Sequence, residues 1–111
     1  MANAFLRKTS RDVGTSAAQV GSYTVGSGVE TTIIGLTLAN TTASAIDVDV
    51  YLHDGSDNNT YMIKSAPIPV GSTLIVVGGE QKVVLEPDDE IYVESSAASS
   101  VDVVMSILEV S

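Results

Sequence analysis

Residues 67–94 read PIPVGSTLIVVGGEQKVVLEPDDEIYVE. Three short apolar runs, at 73–77, 82–85 and 91–94, are separated by Gly78-Gly79 and by Glu86-Pro87-Asp88-Asp89. Branched Val and Ile side chains fit a pleated sheet better than a helix. The Gly and Pro-Asp clusters are turn formers with defined backbone roles. Pro67 and Pro69, which cannot donate to a ladder, mark an edge or crossing segment. This stretch predicts β-strands joined by tight turns, and it holds no catalytic motif.

The same style extends outward. Residues 46–52 alternate strictly, with Ile46, Val48, Val50 and Leu52 on one face and Asp47, Asp49 and Tyr51 on the other. A period of two over this length predicts a half-buried strand. Asp54-Gly-Ser-Asp-Asn-Asn59 reads as a hairpin loop into a strand at 60–64. Further strands are expected at 19–25, 31–39 and 101–110, with Gly35 marking a bulge or a close backbone approach. About eight short strands at this spacing predict an all-β, antiparallel β-sandwich of jelly-roll type, with a small closed barrel as the alternative.

Composition agrees. The chain has 111 residues, sufficient for one domain and one core. It is 44% hydrophobic but only 5% aromatic, without Trp, so the core is aliphatic. There is no cysteine, which removes disulfides and thiolate metal sites and suggests an intracellular product or one stabilised by partners. No apolar h-region follows Arg7 and Lys8, so no secretory leader is expected. The most apolar stretch, 65–79, is broken by Pro and Gly and falls short of the ~20 residues of a spanning helix.

Charge is uneven. Net charge is −9, yet residues 1–12 are positive, with Arg7, Lys8 and Arg11 against Asp12. So acidic a body repels phosphate backbones and anionic lipid, arguing against nucleic acid or membrane as partner. Residues 1–17 lack sustained periodicity and read as an N-terminal arm ahead of a domain at 18–111. Such a segment either frays or reaches a neighbouring subunit, with Phe5 and Leu6 as anchors and Arg7, Lys8 and Arg11 pairing with acids. The last strand is apolar on both faces, Val101, Val103, Met105 and Ile107 on one and Val104, Leu108 and Val110 on the other. It is therefore a strand covered on both sides, or one packed on another subunit. Val104, Leu108 and Val110 are the candidate homo-oligomer interface.

No catalytic, cofactor or metal residues are assigned. His53 is the single histidine, there is no cysteine, and no nucleophile elbow supports a triad. Asp88, Asp89 and Glu90 follow Pro87, where acids are ordinary turn residues. Oxygen ligands cluster at Asp54, Asp57, Asn58 and Asn59, but the order departs from an EF-hand loop and reads as a solvated hairpin tip. Gly78-Gly79 has no helix after it and is not a phosphate cradle. No small-molecule substrate is implied.

Residues 63–71 (apolar-Lys-x-Ala-Pro-Ile-Pro-x-Gly), 78–85 (Gly-Gly-x-x-Lys-apolar-apolar-Leu), the acidic turn 86–89 and Ser-Ser-x-x-Ser-Val-Asp at 95–102 together resemble a group of small virion proteins of tailed bacteriophages. The opening MANAF and the strand at 32–40 are also similar. The residue after Pro87 is often Gly in such turns, and here it is Asp88. The resemblance implies a non-enzymatic β-sandwich subunit, made in the bacterial cytoplasm and placed on the virion in many copies. A capsid cement or decoration protein on the major capsid protein is the leading expectation. A neck or tail component, or a glycan- or receptor-binding module, is the alternative.

Overall fold

The structure, a computed structural model, describes residues 3–111. Nine strands run β1 (Asn3–Val13), β2 (Ala18–Gln19), β3 (Glu30–Asn40), β4 (Ile46–His53), β5 (Asn59–Ile68), β6 (Thr73–Val77), β7 (Val83–Leu85), β8 (Glu90–Ser95) and β9 (Val101–Val110), with a 3-10 turn at Val20–Ser22. They form two antiparallel sheets, one ordered β1-β9-β3-β6 with β7 also on β3, the other β2-β8-β4-β5. Two four-strand paths interleaved in this way make a β-sandwich with jelly-roll order, as the turn spacing predicts. No helix among the described residues is long and apolar enough to cross a membrane.

The core is aliphatic and lies between the sheets. Ile33, Leu36 and Leu38 from β3, Met105 and Ile107 from β9, Val48 and Val50 from β4, and Ile91 and Val93 from β8 are all buried. Each set is spaced by two along its strand, apart from the step between Ile33 and Leu36. There β3 shifts register against β9 between Ile33 and Gly35, the bulge foreshadowed by Gly35. Buried polar groups are satisfied. Asn40 Nδ2 donates to the Ser44 and Ile68 carbonyls at 2.8 and 3.0 Å, and its Oδ1 accepts the Thr42 N–H at 2.9 Å. That one side chain ties the end of β3 to the turn after it and to the end of β5.

The expected arm is a strand. Residues 3–13 pair along β9 from Asn3 opposite Val110 to Val13 opposite Val101, which makes β1 an edge of the larger sheet. The first two residues of the expected arm lie outside the described residues. Its periodicity is disguised because two inward positions are polar and satisfied. Lys8 lies with Nζ 5.2 Å from the Tyr23 ring centroid, and Ser10 Oγ donates to the Gln19 carbonyl and accepts the Gly21 N–H. The strand expected at 19–25 is correspondingly short. After β2 the chain turns at Gly21, whose φ is +59°, and packs against Lys8.

Candidate functional site

Alternate side chains of a strand point to opposite faces, so the pairing register sorts the outward surface of the larger sheet into rows. Phe5 lies opposite Leu108, Leu108 opposite Thr32, and Thr32 opposite Val84. A second row joins Thr9, Val104, Thr37 and Ile75. Between them Arg7 faces Ser106, which faces Gly35. Phe5 is 75% exposed, Ile75 66%, Val84 59% and Val104 45%, enough apolar surface on one face to mark a contact surface rather than scattered residues. Thr, Ser and Gly between them keep that face flat.

The two candidate sets meet here. Phe5, Arg7 and Arg11 from the basic N-terminal segment share this face with Val104, Leu108 and Val110 of β9. Leu6 and Lys8 do not, because Leu6 packs on the core and Lys8 under the sheet against Tyr23. Arg7 and Arg11 are exposed and form no ion pair among the described residues. The acids of this face are Glu30 and Asp102, and Asp102 Oδ1 already accepts the Asp12 N–H at 3.0 Å.

The outward face of the smaller sheet has the opposite character. One cross-strand row runs Gln19, Tyr92, Tyr51, Tyr61. The Tyr51 and Tyr92 rings stack with centroids 5.4 Å apart, and Tyr61 tilts onto Tyr51 at 5.2 Å. His53 meets the Tyr92 ring edge-on at 5.8 Å, and Lys64 Nζ lies 4.6 Å from the Tyr61 centroid. Carboxylates border the row on both sides, Glu90 next to His53 and Glu94 opposite Asp49, with Asp47 beyond. Lys64 bonds Asp49 at 3.3 Å, so one cation stands against four acids. Burial pushes the Tyr51 and Tyr92 phenols up, reinforced by Tyr61 and Glu94 for Tyr51 and by Glu90 for Tyr92. The Tyr51 and Tyr92 hydroxyls therefore stay protonated donors at neutral pH. With only 5% aromatic residues and no Trp, composition gives no sign of this row. Tyr51 and Tyr92 both sit on outward positions of alternating strands, but only the pairing register shows that they are neighbours.

The hairpin tip is built for itself. Asp54 Oδ1 accepts the Ser56 and Asn58 N–H groups at 2.9 and 3.0 Å. Those bonds, the one from Asn58 foremost, hold its carboxyl below the usual range. His53 Nδ1 bonds Asn59 Oδ1 at 2.6 Å while Nε2 lies 3.1 Å from Asp57. The imidazole is thus fully occupied by its own turn. Among the described residues no group of three or more His, Asp or Glu is placed to hold a metal ion.

No protein-family model and no curated protein sequence matches the chain. Among solved structures, a protein of the Bacillus endospore appendages, described as "a novel family of disulfide-linked pili", superposes with a TM-score of 0.55. The match has 14% identity and covers 97% of this chain and 85% of that one. The CBM22-1 xylan-binding domain of Paenibacillus barcinonensis Xyn10C aligns at a TM-score of 0.32 and 14% identity, over 93% of this chain and 70% of that one. The likeness to the appendage protein is one of fold, a β-sandwich, and it does not extend to a bacteriophage origin.

Proposed function

We propose that this chain is a non-enzymatic structural subunit that works in many copies by surface contact, in its leading form a capsid cement or decoration protein of a bacteriophage virion. A place at the neck or tail would use the same surface. The observation that carries the reading is the flat outward face of the larger sheet, where Phe5, Val104, Ile75 and Val84 are exposed beside Arg7 and Arg11. The sequence resemblance at 63–71, 78–85 and 95–102 supplies the virion. The appendage likeness supports a structural role at the level of fold, and linkage by disulfides does not transfer because the chain has no cysteine. Weak contacts repeated over a particle surface add through multivalency, and the arginines give orientation and on-rate against an acidic partner.

A glycan-binding role is disfavoured by the tyrosine row. Sugar stacking needs free ring faces, and those of Tyr51 are taken by Tyr92 and Tyr61. The test is to incubate labelled protein with phage heads and image where it binds. Expected is saturable coverage of the head that is lost in the Arg7→Glu/Arg11→Glu variant; clustering at the tail vertex selects the neck or tail form. Absence of any particle binding overturns the virion reading.

A further inference from the structure

The two outward faces of the sandwich complement one another. The edge strand β1 presents Arg7, Thr9 and Arg11 in a line, with Phe5 beyond them. On the opposite side, β8 presents Glu90, Tyr92 and Glu94 in a line, with Tyr51, Asp49 and Asp47 beside them on β4. Arg7 to Arg11 and Glu90 to Glu94 each span four residues of extended chain, about 13 Å. The spacing of the cations therefore matches that of the anions, with a small Thr set against a Tyr between them.

The chemistry is equally matched. Arg binds carboxylates through a planar fork, so a row of tyrosine edges and hydroxyls bordered by acids is a surface suited to Arg. Tyrosines whose ring faces are already paired offer edges and hydroxyls, the form in which Tyr serves protein interfaces. Glu94 has no hydrogen-bond or ion-pair partner among the described residues. Glu90 is held in place by Gln19 Nε2 at 3.1 Å and Thr24 Oγ1 at 2.5 Å. One carboxylate is thus free and the other fixed, while neither arginine has an ion-pair partner among the described residues.

We infer that the partner of the Phe5–Arg7–Arg11 face is the tyrosine–carboxylate face of a second copy of this chain. Resting on the reading of the larger sheet's outward face as the contact surface, the inference names its occupant. Because two different patches meet, the interface is heterologous. Each docked pair keeps one free patch of each kind, and the association propagates head to tail into an open stack instead of closing as a two-fold dimer. Two flat sheet faces pack at about 10 Å, which Phe5, Val104 and Ile75 on one side and the tyrosines on the other are long enough to fill.

Sedimentation velocity on three proteins tests this: the unaltered chain, Arg7→Glu/Arg11→Glu, and Asp49→Arg/Glu94→Arg. The unaltered chain is expected to form species larger than a dimer, weakened at least tenfold in affinity between about 50 and about 500 mM salt. Each variant alone is expected to be monomeric. Mixed, the intact basic face of one variant meets the intact acidic face of the other, so heterodimers form where each variant alone stays monomeric. Circular dichroism of each variant confirms folding, and Thr9→Arg, which crowds the same face without reversing charge, serves as a second probe and should also weaken association. A monomeric unaltered chain, or a mixture without heterodimers, overturns the inference. If particle binding is still lost in Arg7→Glu/Arg11→Glu, the contact-face reading stands and only the self-docking falls. If stacks form but no particle is bound, the virion reading falls and the self-docking stands.

Discussion

The rings of Tyr51 and Tyr92 lie 5° from parallel with their centroids 5.4 Å apart, and the two residues are directly opposite in adjacent strands. Each ring covers one face of the other, so the pair acts as a single plate on an otherwise acidic sheet. A double-mutant cycle with Tyr51→Ala and Tyr92→Ala should return a coupling of about 0.5–1.5 kcal/mol in urea unfolding. A coupling near zero would mean that the plate contributes only its buried area.

Gly21 sits at φ +59°, and a Cβ there would lie 2.6 Å from the Cβ of Lys8. Backbone conformation and space therefore both demand glycine where the chain passes beneath β1. Gly21→Ala is expected to destabilise by about 1–3 kcal/mol, through left-handed strain plus the clash. Hydrogen exchange should place the loss in β1 amides first, since this contact seats that strand.

Those residues also explain what the sequence hid. Strands β4, β6 and β9 could be read directly, because Ile46 to Leu52, the run at 73–77 and the two-faced run at 101–110 carry their periodicity in apolar side chains. In β1 the inward positions include Lys8 and Ser10, whose polar ends are satisfied by Tyr23, Gln19 and Gly21. A period-two pattern read from hydropathy cannot see such a strand. The contact face was half legible. Phe5, Arg7 and Arg11 stood out as a basic segment, and Val104, Leu108 and Val110 as a surplus apolar face. That they share one surface depends on the pairing of β1 with β9, a long-range relation without a local signal. The tyrosine row depends likewise on the register across β8, β4 and β5.

His53 should titrate above its ordinary value near 6.5. The bond to Asn59 is the largest cause, with Asp57 and Glu90 adding to it and partial burial opposing it. Because the folded value is raised, the associated stability is fully present below the unfolded value and is lost as pH rises through the folded one. NMR titration of the imidazole in the unaltered protein and in Asn59→Ala checks this, the variant being expected to move the transition down. An unmoved transition would assign the shift to the carboxylates alone.

Asp88 has φ +75°, and the Asp89 N–H bonds the Glu86 carbonyl at 3.0 Å around it. With Pro87 ahead of it, this is the third position of a type II turn, where glycine is favoured. Asp88→Gly should therefore stabilise by about 0.5–1 kcal/mol, the relief of left-handed strain exceeding the added freedom of the unfolded chain. Thermal unfolding measures it, and a lower melting temperature would show that the Asp88 side chain, packed against Gly55, contributes more than its backbone costs.

Tyr23 joins the 3-10 turn to the two central strands of the larger sheet. Its hydroxyl donates to Glu109 Oε2 at 2.6 Å and lies 2.7 Å from Thr31 Oγ1 inside the core. Burial first, then the bond to Glu109, pushes the phenol up to about 12. The proton is held more tightly in the folded state than in the unfolded one, so the linked stability is complete below the unfolded value near 10 and is lost as pH rises through about 12. Tyr23→Phe deprives Glu109 of a donor in a desolvated site and should cost about 1–3 kcal/mol at neutral pH. The same variant should flatten the fall in stability above pH ~10, leaving the shallower contribution of the surface tyrosines. Denaturant unfolding at successive pH values reads both effects, and a steep alkaline fall persisting in the variant would assign that limb to Tyr51 and Tyr92 instead.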